Sequence, residues 1–274
     1  MQKNKSKKSS TILSVALATY NEEQNIVECL NSVRTLADEI VIVDGSSTDE
    51  TVELARKAGA RVIITDNKPI FHINKQLAMD NVAGKLILQL DADEIVDDEL
   101  HAFLLKLKET FINGEYDVKT QPVAWWIKRN NFFLGTFMRK GGQYPDAVIR
   151  LYVNGYASLP QKDVHEQMDV NGKTGFAEGH LIHYSNKTFG DYLRKWNAYT
   201  SLSAEALAKE HSNPNFLLFI NYLFLKPIYT FFLLYFRHKG LLDGFPGFVF
   251  ALMSGIFHQM VYLKYWELRQ TRSR

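Results

Sequence analysis

At residues 86–94 the chain reads Leu86-Ile87-Leu88-Gln89-Leu90-Asp91-Ala92-Asp93-Glu94, an apolar strand that ends in closely spaced carboxylates. Side chains alternate along an extended chain, so Asp91 and Asp93 are expected on the same face. Carboxylate oxygens are the ligands that Mg²⁺ and Mn²⁺ prefer, and Mg²⁺ usually reaches a protein through one or two carboxylates plus substrate phosphates. The spacing favours one shared ion that serves a phosphate-bearing substrate. A second interpretation is an acidic loop that caps the next helix, because residues 97–99 are also acidic.

Strand and helix patterns alternate through the first hundred residues. Apolar strands are predicted at Ile12 to Thr19, Ile40 to Val43, Arg61 to Thr65 and before Asp91, and helices at Glu22 to Val33, about Asp49 to Ala58 and near Ile73 to Asn81. Such alternation predicts a parallel sheet covered by helices on both faces. Ligands of open α/β sheets bind beyond the carboxyl ends of the strands. We therefore expect three strand ends, at residues 19–22, 44–46 and 91–93, to point at one crevice.

Three segments resemble the N-terminal motifs of family 2 glycosyltransferases in order and spacing. They are Ala18-Thr19-Tyr20-Asn21-Glu22-Glu23, Val43-Asp44-Gly45-Ser46-Ser47-Thr48-Asp49-Glu50-Thr51 and Asp91-Ala92-Asp93-Glu94. That family has a GT-A fold, which is an α/β fold with a Rossmann-like, mostly parallel sheet and flanking helices. It transfers a sugar from a nucleotide donor with inversion at the anomeric carbon, usually with a divalent metal. The resemblance implies a metal-dependent enzyme of this class that uses Mg²⁺ or Mn²⁺.

Four downstream segments resemble the branch of the family that acts on the lipopolysaccharide core. They are the Tyr144 to Tyr152 stretch, Val164-His165-Glu166, His183-Tyr184 and Lys239-Gly240-Leu241-Leu242-Asp243-Gly244. Enzymes of that branch commonly add glucose to an inner-core heptose. The resemblance implies a hexosyltransferase that uses UDP-glucose and a lipopolysaccharide inner-core heptose or related surface glycan. Two alternatives stay open: a polyprenyl-phosphate sugar transferase and a non-catalytic nucleotide-sugar binding protein.

Residues of the donor site follow from the matched motifs and their neighbours. The expected donor-binding residues are Thr19, Tyr20, Glu22, Asp44, Lys75, Asp91 and Arg150, and the expected metal ligands are Asp91, Asp93 and His165. An Asp carboxylate such as that of Asp44 can accept from a pyrimidine N–H, and the Tyr20 ring can lie against the base. Purely structural interpretations are also open, because Glu22 suits a helix N-terminus, Asp44 can shape its turn and Lys75 can lie on a solvated helix face.

Inverting transfer requires a base that removes the proton of the acceptor hydroxyl. Asp146, Asp163 and Glu166 are the candidates, and Glu166 is favoured. His165 either joins the metal or binds the diphosphate. Arg150 can orient Asp146, contact the acceptor or form a buried structural ion pair.

The last third of the chain is unusually apolar. Phe216 to Phe236 and Phe245 to Leu263 are rich in Phe, Leu, Ile and Tyr. The first stretch reaches the roughly 20 residues that span a bilayer, but Asn221, Lys226 and Pro227 interrupt it. We therefore predict in-plane, peripheral association with the cytoplasmic face of the inner membrane, where a lipid-linked saccharide acceptor is presented. A buried helical pair and a membrane hairpin are the alternatives.

Composition divides the chain into three parts. Lysines at positions 3, 5, 7 and 8 make residues 1–10 a basic tail without the apolar region of a secretory signal, and we expect this tail to be disordered. Residues 11–181 form the expected GT-A domain, and residues 182–274 the helical, membrane-proximal region. The 46% of hydrophobic residues in 274 suffice for one large core. The sequence contains no nucleic-acid-binding motif, and no nucleic-acid partner is expected.

Overall fold

The protein is described by a computed structural model that covers residues 11–68, 70–160 and 167–271. The described residues form two compact units. The first unit contains the residues up to Arg129 together with Ala147–His183, and the second contains Asn130–Asp146 together with the residues from Tyr184 onward. Asn130–Asp146 thus groups with the helical region, although nothing in its composition indicates this.

A mixed sheet forms the centre of the first unit. Its strands are β1 (Leu13–Thr19), β2 (Glu39–Asp44), β3 (Arg61–Ile64), β4 (Leu86–Leu90), β5 (Glu94–Val96), β6 (Ala124–Phe133), β8 (Val148–Val153) and β11 (Thr174–His183), in the order β3-β2-β1-β4-β8-β6-β11-β5. Strands β3, β2, β1 and β4 are parallel, whereas β8 runs antiparallel to both β4 and β6, and β11 runs antiparallel to β5. Short strands complete the described set: β7 (Thr136–Phe137), which pairs with β6 in the second unit, and the pair β9 (Ala157–Ser158) and β10 (Asp169–Val170).

Helices cover both faces of the sheet because the side chains of β1 alternate. Leu13, Val15 and Leu17 are fully buried against the apolar stripe of α1 (Ile26–Val33), while Ala16 faces the cluster that includes Ala78 and Met79. The remaining helices of this unit are α2 (Thr51–Lys57), α3 (Phe71–Asp80) and α4 (Asp98–Asn113). Each fully buried aliphatic side chain contributes about 1.5–3 kcal/mol, so this two-sided core anchors the strand ends. The predicted α/β fold class with flanking helices is confirmed.

The second unit is mainly helical. Helix α5 (Phe189–Glu210) begins with a capping box, in which Thr188 and Asp191 satisfy each other's backbone N–H groups. Its Leu207 and Ala208 pack with Tyr262 and Tyr265 of α8 (Gly244–Thr271). Between α5 and α8, a wider π-helical turn at Asn221–Leu225 joins α6 (Phe216–Ile220) to α7 (Lys226–Phe232), and a second one at Leu233–Arg237 follows α7. A short 3-10 turn at Gly240–Asp243 precedes α8.

Two helical stretches of this unit, Phe216–Arg237 and Gly240–Thr271, are long and apolar enough to cross a membrane. Only 6% and 22% of their most apolar 18-residue segments are buried, so the described residues leave most of this apolar surface uncovered, which is contrary to the alternative of a buried helical pair. The helix continues through the polar residues of the first stretch, because Asn221–Leu225 forms a π-helical turn. Pro227 follows this turn directly, as the second residue of α7.

Candidate active site

The carboxyl ends of β1, β2 and β4 carry the predicted donor-site residues. Parallel pairing sets Thr19 beside Asp44 and places the end of β4 on the other side of β1. The Oδ2 atom of Asp44 accepts from Thr19 Oγ1 and Ser47 Oγ, both at 2.7 Å, and its Oδ1 accepts from the Ser47 N–H at 2.7 Å. Asp44 is fully buried and therefore shapes its turn, and any bond to a base must use its remaining lone pair.

Tyr20 and Glu22 follow β1 and differ in exposure and contacts. The Tyr20 side chain is 44% exposed, which leaves its ring accessible beside the strand end. The Glu22 carboxylate accepts from Asn25 Nδ2 at 2.7 Å, and the Glu22 carbonyl accepts from the Ile26 N–H at 2.9 Å. Glu22 thus lies in the turn that begins α1, as the helix-start interpretation proposed.

Asp91 sits in a buried ionic cluster. Its Oδ1 contacts Lys75 Nζ and accepts from Gln89 Nε2 at 3.2 Å, and its Oδ2 accepts from Arg150 Nη2. Arg150 also binds Glu94 Oε1 at 3.1 Å. Lys75 is only 6% exposed, so the solvated-face interpretation is wrong for this residue. Both oxygens of Asp91 are occupied by protein cations, and Arg150 forms buried ion pairs with Asp91 and Glu94.

Ion pairing keeps Asp91 and Arg150 charged despite their burial. Burial alone would raise the pKa of Asp91, but the charges of Arg150 and Lys75 hold it well below its usual range. Burial by itself would lower the pKa of Arg150, and the carboxylates of Asp91 and Glu94 raise it instead. Burial lowers the pKa of Lys75, although Asp91 opposes this change. Asp91 is thereby fixed as an anion in one orientation.

Asp93 has different surroundings, two residues farther along. Strand β11 pairs with β5 so that His183 lies opposite Glu94, and this register brings His183 Nε2 to 3.6 Å from Asp93 Oδ1. Each side chain is 15% exposed, compared with 24% for Asp91. His183 lies in the His183-Tyr184 segment that resembles the lipopolysaccharide-core branch, but that resemblance gives it no role. Its approach to Asp93 depends on the long-range pairing of β11 with β5.

Of the three candidate bases, only Asp146 lies within the described residues. Asp163, His165 and Glu166 lie outside the described residues. Asp146 lies in the second unit, where its Oδ2 accepts from Asn131 Nδ2 at 2.8 Å.

A second acidic group follows β5 at the start of α4. Oxygen and nitrogen atoms of Asp97, Glu99 and His180 lie within 4.8 Å of one another, close enough to hold a metal ion. The Asp97 carboxylate, however, also accepts from the Leu100 N–H at 2.8 Å and contacts His180 Nδ1 at 3.1 Å. Asp97 therefore caps α4, and the capping interpretation holds for this part of the acidic run.

Parallel strands that end in carboxylates and are covered by helices form the arrangement expected of a GT-A glycosyltransferase, and a helical region with two apolar helices accompanies it. Residues 14–166 match the family model of Glycosyl transferase family 2. The chain therefore belongs to glycosyltransferase family 2, and the family predicted from the sequence is confirmed.

Two relatives align with this chain over most of its length. It is 28% identical over 279 residues to the lipopolysaccharide core biosynthesis glycosyltransferase LpsC of Rhizobium meliloti, with 96% of this chain and 94% of LpsC covered. It is also 28% identical over 270 residues to the uncharacterized glycosyltransferase RT0209 of Rickettsia typhi, with 94% and 87% covered.

Solved structures show more distant likenesses. Residues 1–349 of TarS from S. aureus align with a TM-score of 0.44 and 14% identity, covering 96% of this chain and 91% of that one. Glucosyl-3-phosphoglycerate synthase from Mycobacterium tuberculosis, in a complex with Mn²⁺, UDP and its product, aligns with a TM-score of 0.34 and 22% identity over 46% of each chain. Neither likeness carries information about the substrate of this chain.

Proposed function

We propose that this enzyme transfers glucose from UDP-glucose, with inversion, onto a lipopolysaccharide inner-core heptose or a related surface glycan. The observation that best supports this proposal is that Thr19, Asp44 and Asp93 lie at or just beyond strand ends in a chain of this family. Asp91, two residues before Asp93, is bound by two protein cations. Similarity to LpsC over nearly the full length of both chains supports the acceptor class.

Asp93 and His183 are the residues that best fit a divalent ion. Asp93 Oδ1 and His183 Nε2 lie 3.6 Å apart, so one ion could reach both a carboxylate and an imidazole, while Asp91 pairs with Lys75 and Arg150. A carboxylate suits Mg²⁺ and Mn²⁺, and an added imidazole favours Mn²⁺. Such an ion supplies positive charge to the departing diphosphate. In this assignment Asp91 orients the strand end, and His165 remains a further candidate ligand.

The chain's own groups have separate tasks in the proposed reaction. The ring of Tyr20 lies against the base, and the remaining lone pair of Asp44 accepts from a base N–H. Lys75 and Arg150 hold Asp91 and thereby fix the loop that carries Asp93. Glu166 is the proposed base for the acceptor hydroxyl, with Asp146 and Asp163 as the other candidates.

Membrane association brings the enzyme to its acceptor. The exposed apolar helices of the second unit suit insertion at a bilayer surface, and we place the enzyme peripherally at the cytoplasmic face of the inner membrane. A lipid-linked saccharide acceptor is presented there. The same helices suit a polyprenyl-phosphate acceptor, which makes such a transferase the second candidate function.

Titration calorimetry with UDP tests the donor site. Wild-type protein is expected to bind UDP more tightly with Mn²⁺ than without it, and Asp93→Ala is expected to lose the metal-dependent part. Equal binding with and without Mn²⁺ contradicts the metal assignment.

Mass analysis of products formed from UDP-glucose, with core-truncated lipopolysaccharide or polyprenyl phosphate supplied, distinguishes the two acceptors. A protein that binds UDP-glucose but neither transfers nor hydrolyses it is a binding protein only.

A further inference from the structure

Four cations and one histidine surround the turn between the two apolar helices of the second unit. Arg237, His238 and Lys239 belong to the turn, and Arg139 and Lys140 belong to a loop bonded to it. All five residues are exposed, and within residues 11–68, 70–160 and 167–271 none of them forms an ion pair. Unpaired like charges in one place create a positive potential that attracts an anionic partner.

Backbone contacts hold the loop and the turn together. The Asp243 carboxylate accepts from the Arg139 N–H at 3.0 Å and the Lys140 N–H at 2.8 Å, and the Gly141 N–H donates to the His238 carbonyl at 3.0 Å. Gly240 lets the turn fold back on its own helix, because a Cβ there would lie 2.8 Å from the Leu234 carbonyl oxygen, and it would also lie 3.4 Å from Gly141 Cα of the loop. We call residues 139–142 and 236–245 the turn platform.

Large apolar side chains lie among these cations. Phe236, Leu241, Leu242 and Phe245 are 51%, 43%, 63% and 72% exposed. A water-soluble anion makes no favourable contact with such apolar side chains. The lipid–water boundary suits both kinds of residue at once, because cations meet phosphate groups there while apolar side chains enter the acyl region.

We propose that the turn platform binds the phosphate headgroups of anionic phospholipids. This inference rests on the membrane association in the proposed function and adds a lipid class and a location to it. Electrostatic attraction by the platform acts in addition to insertion of the apolar helices, so binding depends on both anionic lipid and salt.

Flotation with vesicles tests this proposal on the full chain, after dilution below the critical micelle concentration of its detergent. The vesicles contain phosphatidylcholine alone or with about 30% phosphatidylglycerol. The variant combines Arg139→Gln, Lys140→Gln, Arg237→Gln and Lys239→Gln. A matched control removes four exposed cations of the first unit through Arg34→Gln, Arg56→Gln, Lys106→Gln and Lys119→Gln.

Wild type and control are expected to bind the anionic vesicles at least about tenfold more tightly than the neutral ones, and the platform variant is expected to lose this difference. High salt should reduce binding of the wild type to the level of the variant.

Equal losses in variant and control, or a wild type indifferent to phosphatidylglycerol, overturn the platform while leaving membrane association intact. Failure of the wild type to float with either vesicle overturns both. Unchanged UDP binding shows that the variant is folded and that the donor site is unaffected.

Discussion

Asp91 and Asp93 lie two residues apart, yet their surroundings give them different tasks. Asp91 is bound by Lys75 and Arg150, whereas Asp93 faces His183. We expect Asp91→Asn to lower the free energy of unfolding by about 3 kcal/mol, because removing one partner of a buried ion pair leaves the other charges uncompensated. Thermal unfolding followed by circular dichroism measures this change.

The same substitution at Asp93 is the control. Asp93→Asn should lower the free energy of unfolding by less than Asp91→Asn does, because Asp93 lacks the two cationic partners of Asp91, while abolishing metal-dependent UDP binding. A larger stability loss in Asp93→Asn than in Asp91→Asn would show that the structural and metal-binding tasks are assigned to the wrong residues.

His183 offers a second test at this scale. If its imidazole binds the metal, His183→Gln should raise the Mn²⁺ concentration for half-maximal transfer by about tenfold or more, because an amide is a weaker ligand. His180 lies on the same strand but contacts Asp97, so His180→Gln should leave the Mn²⁺ dependence unchanged. Similar Mn²⁺ curves for wild type and His183→Gln would remove His183 from the metal site.

Strand β1 is anchored at its beginning by Asp38. The Asp38 carboxylate accepts from the N–H groups of Ile12 and Leu13, both at 3.0 Å, and contacts Lys108 Nζ at 2.6 Å. Burial alone would raise the pKa of Asp38, but these hydrogen bonds and the charge of Lys108 lower it. A lowered pKa in the folded state means that the stabilisation is present above the unfolded-state pKa and disappears as pH falls through the folded-state value.

Asp38→Asn is therefore expected to destabilise the protein near neutral pH by about 1 kcal/mol or less, since solvent screens this partly exposed pair. The difference in Tm from wild type should shrink as pH falls below about 4. Asp66→Asn is the matched control, because Asp66 is 87% exposed and only pairs with Lys68. A Tm difference for Asp38→Asn that stays constant from pH 7 to pH 3 would contradict an ionic anchor.

The sequence predicts the parallel half of the sheet well and the antiparallel half poorly. Strands β1, β2 and β4 are mostly apolar runs because they are largely buried on both faces, and local pattern suffices to find them and the partly exposed edge strand β3. The positions of β5 and β11 depend on contacts between residues far apart in the chain, so neither the His183–Asp93 approach nor the Lys75–Asp91–Arg150 cluster is visible in local spacing. The π-helical turn at Asn221–Leu225, just before Pro227, is likewise a feature that local pattern does not predict.

At the scale of the whole molecule, the proposed donor site and the proposed membrane contact lie in different units. The strand-end carboxylates lie in the first unit and both uncovered apolar helices in the second. Lysine substitutions at exposed apolar positions test this division, and suitable positions are Leu217, Leu225, Ile228 and Phe232. We expect the fourfold variant to leave the membrane fraction while UDP still binds with wild-type affinity. Loss of UDP binding in a folded variant would contradict the division.

Sidedness of the turn platform distinguishes an enzyme that lies on the membrane from one that crosses it. Cys29 is buried and is the only cysteine, so Cys29→Ser provides a background for single reporters. In a peripheral enzyme, Lys239→Cys and the first-unit reporter Lys106→Cys should both react with an impermeant maleimide in inside-out vesicles and in neither case in intact spheroplasts. Labelling of Lys239→Cys from outside, with Lys106→Cys protected, would establish a spanning hairpin. The cations of the platform favour the peripheral result, because carrying several unpaired charges through the bilayer core costs about 2.5–3.5 kcal/mol for each one.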